Sequence, residues 1–400
     1  METKPVQRRY ELDWLRVLVI LGVFVFHCTR FFDTDGWSIK NASTYLSVEV
    51  WAKFMTSWGM PLILIISGAS AFLALKKLRA GKYAGGLVLR LFVPLMVGIF
   101  THVAFQIYLE NLHKGSFSGS FFAFYPHYFE GMYGFGGNFA WMGLHLWYLE
   151  LLFIVSLFCL PLFVWWMRPS IGQRVLQFMG DLLANPVMVL LLAAPTILLI
   201  LNLDEATWGN QSMGGWSIVI YPLFFIAGFV ILSNERLQKT IIRMRWIHLC
   251  LGVMFSTAYL LAEFQTIYPT DLFPLMDKLV KVLVCLVVWS WLTAVFGFGM
   301  VHLNFTNPFL KYANEAVLPF YIIHQSVLIS LGFFVMEWAI PDLLKFLIVL
   351  TATFILSMGL YEFGVRRFNL MRFLFGMKLH SKPAKKPALE TQRGESIQTM

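Results

Sequence analysis

Long apolar runs alternate with short polar or glycine-rich stretches along almost the whole chain. Ten of them reach the length, about 17 to 25 residues, that carries a helix across a bilayer core. They fall near 14–32, 52–75, 87–109, 146–167, 186–203, 216–233, 246–264, 279–299, 315–336 and 342–363. Lipid supplies no partner for backbone N–H and C=O groups, so the spans are helices. The pattern therefore predicts an all-α fold, a polytopic membrane bundle of about ten transmembrane helices. The run holding Pro319 is open to two readings, a helix or a broken, re-entrant segment, because proline removes a backbone donor. The first run is long enough to span and is flanked by charge, which makes it a retained helix and not a cleaved signal. Residues 1–379 are assigned to one membrane domain. Residues 380–400 are polar and proline-containing with no apolar period, which reads as a disordered cytoplasmic tail.

Charge orients the bundle. Lys4, Arg8 and Arg9 precede the first run; Lys76, Lys77, Arg79 and Lys82 follow the second; Arg168 and Arg174 follow the fourth; Arg236, Lys239, Arg243 and Arg245 follow the sixth; Arg366, Arg367, Arg372 and Lys378 follow the tenth. The alternate loops carry Asp33, Asp35, Asp204, Glu205, Asp271 and Asp342. By the positive-inside rule both termini face the cytoplasm and the number of spans is even. The same bias accounts for the net charge of +9 without nucleic acid, since the charges never form one basic stripe.

Composition agrees with a multi-pass cell-membrane protein, an inner-membrane protein in a Gram-negative host. Apolar residues make up 58% and charged residues 13%, against about 25% charged in soluble domains. Cys28, Cys159, Cys250 and Cys285 lie in or beside apolar runs without metal-ligand spacing, so no metal and no permanently bound cofactor are expected. The sequons at Asn41 and Asn210 fall in predicted outer loops and carry no weight alone. The long outer loop, 110–145, is rich in glycine and aromatic rings. It fits a sugar-stacking surface and an interfacial aromatic belt equally well.

Ionisable residues inside spans are costly and point to function. Arg16 and His27 lie eleven positions apart on the first run, roughly 16 Å along a helix, one near each membrane face. Asp13, Arg16 and Arg90 make a cytoplasmic layer; His27, His102, His145, Glu150 and His324 make an outer one. A guanidinium layer suits an anionic cytoplasmic donor, and an imidazole layer suits removal of a proton from an acceptor hydroxyl. Structural readings stand beside these. Arg16 has the reach to snorkel or to pair with Asp13, Arg90 sits where a positive-inside anchor would, and a histidine in a bundle also serves as a hydrogen-bonded packing residue.

The residues Arg8-Arg9-Tyr10-Glu11-Leu12-Asp13-Trp14-Leu15-Arg16, then ten residues and His27, resemble the opening signature of the acyltransferase type-3 family of integral membrane acyltransferases. Met60–Ser70, His145–Phe153, Tyr221–Ile231 and Tyr312–Leu328 are similar to later family segments and occur in the family's order. The resemblance implies transfer of an acetyl or succinyl group from cytoplasmic acyl-CoA, a co-substrate, to a hydroxyl of a carbohydrate at the outer face. Within the family, the short chain is most similar to the branch that modifies glucans. His27 would then be the catalytic base and Arg16 a donor contact. Many members carry two arginines three apart before the third span, of which this chain keeps only Arg90. Glu150 is assigned to orienting an imidazole and His324 to the acceptor. A transporter or flippase for an anionic metabolite is the alternative, although no pair of matching interrupted helices marks two halves.

Overall fold

The computed structural model describes residues 8–186, 189–203, 214–264 and 273–380. Over these the chain is helical, and the described residues hold no strand, only an isolated bridge between Met132 and Phe139. In chain order the helices are α1 (Tyr10–Thr29), α2 (Leu46–Leu75), α3 (Ala80–His113), α4 (Trp147–Met167), α5 (Ile171–Leu183), α6 (Ala193–Asn202), α7 (Tyr221–Ser233), α8 (Glu235–Glu263), α9 (Phe273–His302), α10 (Pro308–Val335), α11 (Asp342–Gly359) and α12 (Asn369–Leu374).

Among the described residues, eight helices are long and apolar enough to cross a membrane, α1 to α4 and α8 to α11. They match eight of the ten predicted runs. The other two runs form the shorter helices α6, of 10 residues, and α7, of 13. At about 1.5 Å per residue α7 is roughly 20 Å long, less than a hydrocarbon core. It is enclosed by protein along most of its length, where matching the bilayer is not required. Asp204, Glu205, Asp271 and the Asn210 sequon lie outside the described residues, as does the predicted tail beyond His380.

Glycine fixes the tightest helix contact. A Cβ on Gly68 of α2 would stand 1.8 Å from the Phe225 carbonyl oxygen, and one on Gly228 of α7 would stand 2.0 Å from that of Ile65. The two backbones meet through a reciprocal glycine pair, as small residues allow in membranes. Around this pair α1 packs on α2 and α10, α8 pairs with α9, and α10 pairs with α11.

Helix α10 is continuous through Pro319, which corrects the broken-helix reading. Proline removes one donor, facing the Glu315 carbonyl, and the rest of the ladder persists. Two π-helical turns, Val88–Phe92 and Ile99–Val103, interrupt α3. A π turn takes carbonyls out of the ordinary ladder. At the second turn the loop between α3 and α4 supplies replacements, Tyr128 donating to the Ile99 carbonyl at 3.0 Å and Tyr125 to that of Phe100 at 2.8 Å. The loop's rings otherwise pack edge to face, Phe117 against Phe124 and Tyr128 against Phe139. A third π turn, Leu360–Val365, follows α11.

Helix α5 lies between the fourth and fifth apolar runs, where hydropathy marks no element. It exposes Ile171, Phe178 and Leu182 on one side and places Arg174 elsewhere on its surface, the pattern of a helix lying in a membrane interface.

Candidate active site

Antiparallel packing gathers the first half of α1, the second half of α2, the start of α3 and the start of α10 at one end of the bundle. A cavity of about 540 Å³ lies there and is strongly cationic. Arg16, Arg90, Lys311, Arg372 and Lys378 line it against one carboxylate, Glu315. Arg16 donates to Ser70 at 2.8 Å and Asn314 at 3.3 Å, and pairs with Asp13 at 3.4 Å. Asp13 is also held by Arg8 at 2.8 Å, so its predicted supporting role is to brace the start of α1 and Arg16. Arg372 is buried and committed, donating to Glu315 at 2.8 Å and to the carbonyls of Lys378 and Arg366 at 2.6 and 3.1 Å. The side chains of Arg90, on the first π turn, and of Lys311 and Lys378 make no hydrogen bond or ion pair among the described residues.

The opposite ends of the same helices surround a second cavity of about 710 Å³. Its wall includes His27, His145, Gln106, Glu110, Gln325 and the rings of Trp37, Tyr133 and Trp147. The loop contributes Tyr133, whose hydroxyl donates to both Glu110 oxygens, at 3.1 and 3.0 Å. Burial, reinforced by the Glu110 carboxylate, pushes the Tyr133 phenol above its ordinary range, so it remains a donor.

Four imidazoles converge at the inner edge of this cavity. His27 Nδ1 lies 3.0 Å from His324 Nε2, with near-parallel rings. His145 stands edge-on to His324 at 5.7 Å between ring centres, and His102 is 6.2 Å from His145. Hydrogen bonding settles the neutral tautomers. His324 Nδ1 is 2.7 Å from the Tyr321 carbonyl, which only accepts, so that nitrogen carries the proton and Nε2 accepts. His27 Nδ1 must then be the donor, which leaves His27 Nε2 with a free lone pair. His27 is only partly buried, so that lone pair is within reach of a ligand.

The predicted outer layer therefore separates into groups. His27, His324 and His145 form one cluster with His102 behind it; His102 belongs to the second π turn, and its carbonyl accepts from Ser326 at 3.3 Å. Glu150 is not joined to it. It makes no hydrogen bond or ion pair to an imidazole among the described residues, and the group that orients His27 is His324. Asn41 is not an exposed acceptor site either. It is buried, donates to the Ser43 carbonyl at 3.0 Å and accepts from Lys345 at 2.8 Å.

A thin wall separates the cavities. Tyr148 and Tyr321 stand edge-on at 6.1 Å, the Tyr148 and Ser67 hydroxyls are 3.0 Å apart, and Tyr321 donates to the His145 carbonyl. Both tyrosines and Ser67 line the cationic cavity, while His145 lines the other. These hydroxyls lie between the arginines of one cavity and the imidazoles of the other.

Residues 9–362 match the family model described as "Acyltransferase domain". The chain is similar to curated proteins named "Glucans biosynthesis protein C". Those of Salmonella paratyphi B and Salmonella enteritidis PT4 are 22% identical over 404 residues, and that of Salmonella heidelberg 22% over 408, each comparison covering 97% of this chain and 100% of the relative. No solved structure matches the chain.

Proposed function

The chain belongs to the membrane acyltransferase family whose model spans residues 9–362, and on that premise we propose that it moves an acyl group from a coenzyme A thioester to a carbohydrate hydroxyl. The observation that carries the reading is the His27–His324 pair, whose tautomers leave a basic nitrogen on the wall of one cavity while Arg16 lies on the same helix in the other.

The cationic cavity suits the donor. Guanidinium and ammonium groups at Arg16, Arg90, Lys311 and Lys378 complement the phosphates of coenzyme A, and the flexible arm carries the thioester across the Tyr148–Tyr321 wall. The larger cavity suits the acceptor, because Trp37, Tyr133 and Trp147 offer faces to a sugar ring and Glu110 and Gln106 offer polar partners to hydroxyls. His27 Nε2 takes the acceptor's hydroxyl proton as the oxygen attacks the thioester carbonyl. His324 Nε2 holds the new imidazolium through its Nδ1–H. Collapse of the tetrahedral adduct breaks the carbon–sulfur bond, and His27 returns the proton to the thiolate, giving an ester and a free thiol. With the N-terminus of α1 in the cytoplasm, the donor cavity faces the acyl-CoA pool and the acceptor cavity faces outward. The relatives' printed name makes a glucan the first acceptor to try, with acetyl and succinyl as the donor groups.

The test is release of free thiol from acetyl-CoA and succinyl-CoA by purified protein, with and without a panel of glucans. Acceptor-dependent release supports transfer. Uptake of an anionic metabolite with no thioester consumption would favour the carrier instead.

A further inference from the structure

The acceptor cavity holds two buried hydrogen-bond acceptors that the transfer step does not use. Gln325 is 5% exposed and lines the cavity, next to His324 in the chain, yet its carboxamide has no partner among the described residues and Oε1 keeps almost no exposed surface. His145 is 7% exposed and lines the same cavity. Its Nε2 faces the Ile322 carbonyl at 3.2 Å and so carries the proton, leaving Nδ1 as a second acceptor, also shielded and unpartnered. Buried acceptors are normally satisfied, and these two, lining one cavity, call for a donor that none of the described residues supplies.

The backbone before His145 points the same way. Gly143 and Leu144 have φ of +73° and +50°. Left-handed backbone is unfavourable for a leucine, and such conformations concentrate at ligand sites. Here the left-handed turn, costly only at Leu144, ends α4's approach loop so that Leu144 and His145 both line the cavity.

We propose that His145 and Gln325 form a hydroxyl-recognition subsite for a polyhydroxylated acceptor, binding a hydroxyl neighbouring the reacting one and thereby selecting which hydroxyl reaches His27. The inference rests on reading this cavity as the acceptor site. A carboxamide offers both an acceptor and donors, so it pairs with a hydroxyl in either orientation, while His145 Nδ1 fixes the direction of a second bond. Residue and ligand are matched in chemistry: sugar hydroxyls bring donors to these two acceptors.

The experiment compares wild type with Gln325→Met, which keeps length without hydrogen bonding, on methyl glucoside and its monodeoxy analogues. Product position is read by NMR. In wild type, one analogue that retains the acylated hydroxyl should lose about tenfold or more in kcat/KM, since a site built for a hydroxyl rejects the compound lacking it. In Gln325→Met that loss should shrink to within about threefold and acylation should spread over more positions. An equal loss in both proteins, with unchanged position, overturns the subsite. If wild type transfers to no acceptor, the transferase reading fails separately, and thermal stabilisation by the same sugars decides the subsite without turnover. Greater stabilisation of wild type by the parent sugar than by that analogue, abolished in the variant, supports it, and identical shifts refute it.

Discussion

His324→Phe isolates the role of the second histidine. The ring is fully buried against Phe24, Phe320 and Tyr321, so phenylalanine preserves its stacking while deleting the acceptor that His27 Nδ1 faces at 3.0 Å. During transfer that bond links an imidazolium to a neutral nitrogen, and hydrogen bonds to charged groups contribute about 1.5–3 kcal/mol. At about 1.36 kcal/mol per decade, kcat should fall by roughly 10- to 160-fold. The KM for both substrates should move little, because His324 lies behind His27 and touches neither cavity's ligand. His324→Gln, whose carbonyl oxygen can accept, should recover part of the loss. The assay is acceptor-dependent thiol release on detergent-purified protein, with a melting curve to confirm folding. A folded His324→Phe protein within twofold of wild type in kcat would refute the dyad.

Three further outcomes follow from the geometry. Arg16→Ala removes donors shared among Ser70, Asn314 and the cationic cavity, and should raise the donor KM by about tenfold or more while the acceptor KM stays constant; equal changes in both would count against a donor role. Gly68→Ala drives a methyl to 1.8 Å from the Phe225 carbonyl and should cost about 1–3 kcal/mol or more, read as a lower melting temperature, whereas Gly81→Ala meets open space and should not. Asp33 is fully buried between Arg30 at 2.6 Å and Lys40 at 2.7 Å; Asp33→Ala removes one charge partner from each, while Arg30 keeps Asp35 and Lys40 keeps backbone carbonyls, and should destabilise the C-terminal end of α1 by about 1.5–3 kcal/mol; an unchanged melt would show these pairs to be dispensable.

Much of this architecture is legible in the sequence because membrane physics is one-dimensional. Eight of the ten apolar runs are helices long and apolar enough to span, and the eleven-residue separation of Arg16 and His27 along one helix puts them on separate cavities. What escaped depends on contacts distant in sequence. His324 partners His27 across 297 positions, and nothing local to either residue distinguishes that role from acceptor binding. Glu150 lies at a plausible depth but not beside an imidazole. The π turns of α3 have no hydropathy signal, and at the second the freed carbonyls are met by loop tyrosines that resemble an aromatic belt in sequence. Lys311 and Lys378 were hidden in plain view, since cations at span ends look like orientation signals until the fold gathers them around one cavity. Gly68 and Gly228 lie within two of the family-like segments, Met60–Ser70 and Tyr221–Ile231, and the structure explains them by helix contact and not by catalysis.

The most direct test of the account is the rate of acyl transfer by His27→Ala beside wild type, with the same donor and acceptor and with donor binding measured in parallel. Loss of the general base should lower kcat by about 10²- to 10⁴-fold while donor affinity is retained, because Arg16 and its cavity are untouched. Transfer by a folded His27→Ala protein within tenfold of wild type would contradict the assignment of His27 as the base.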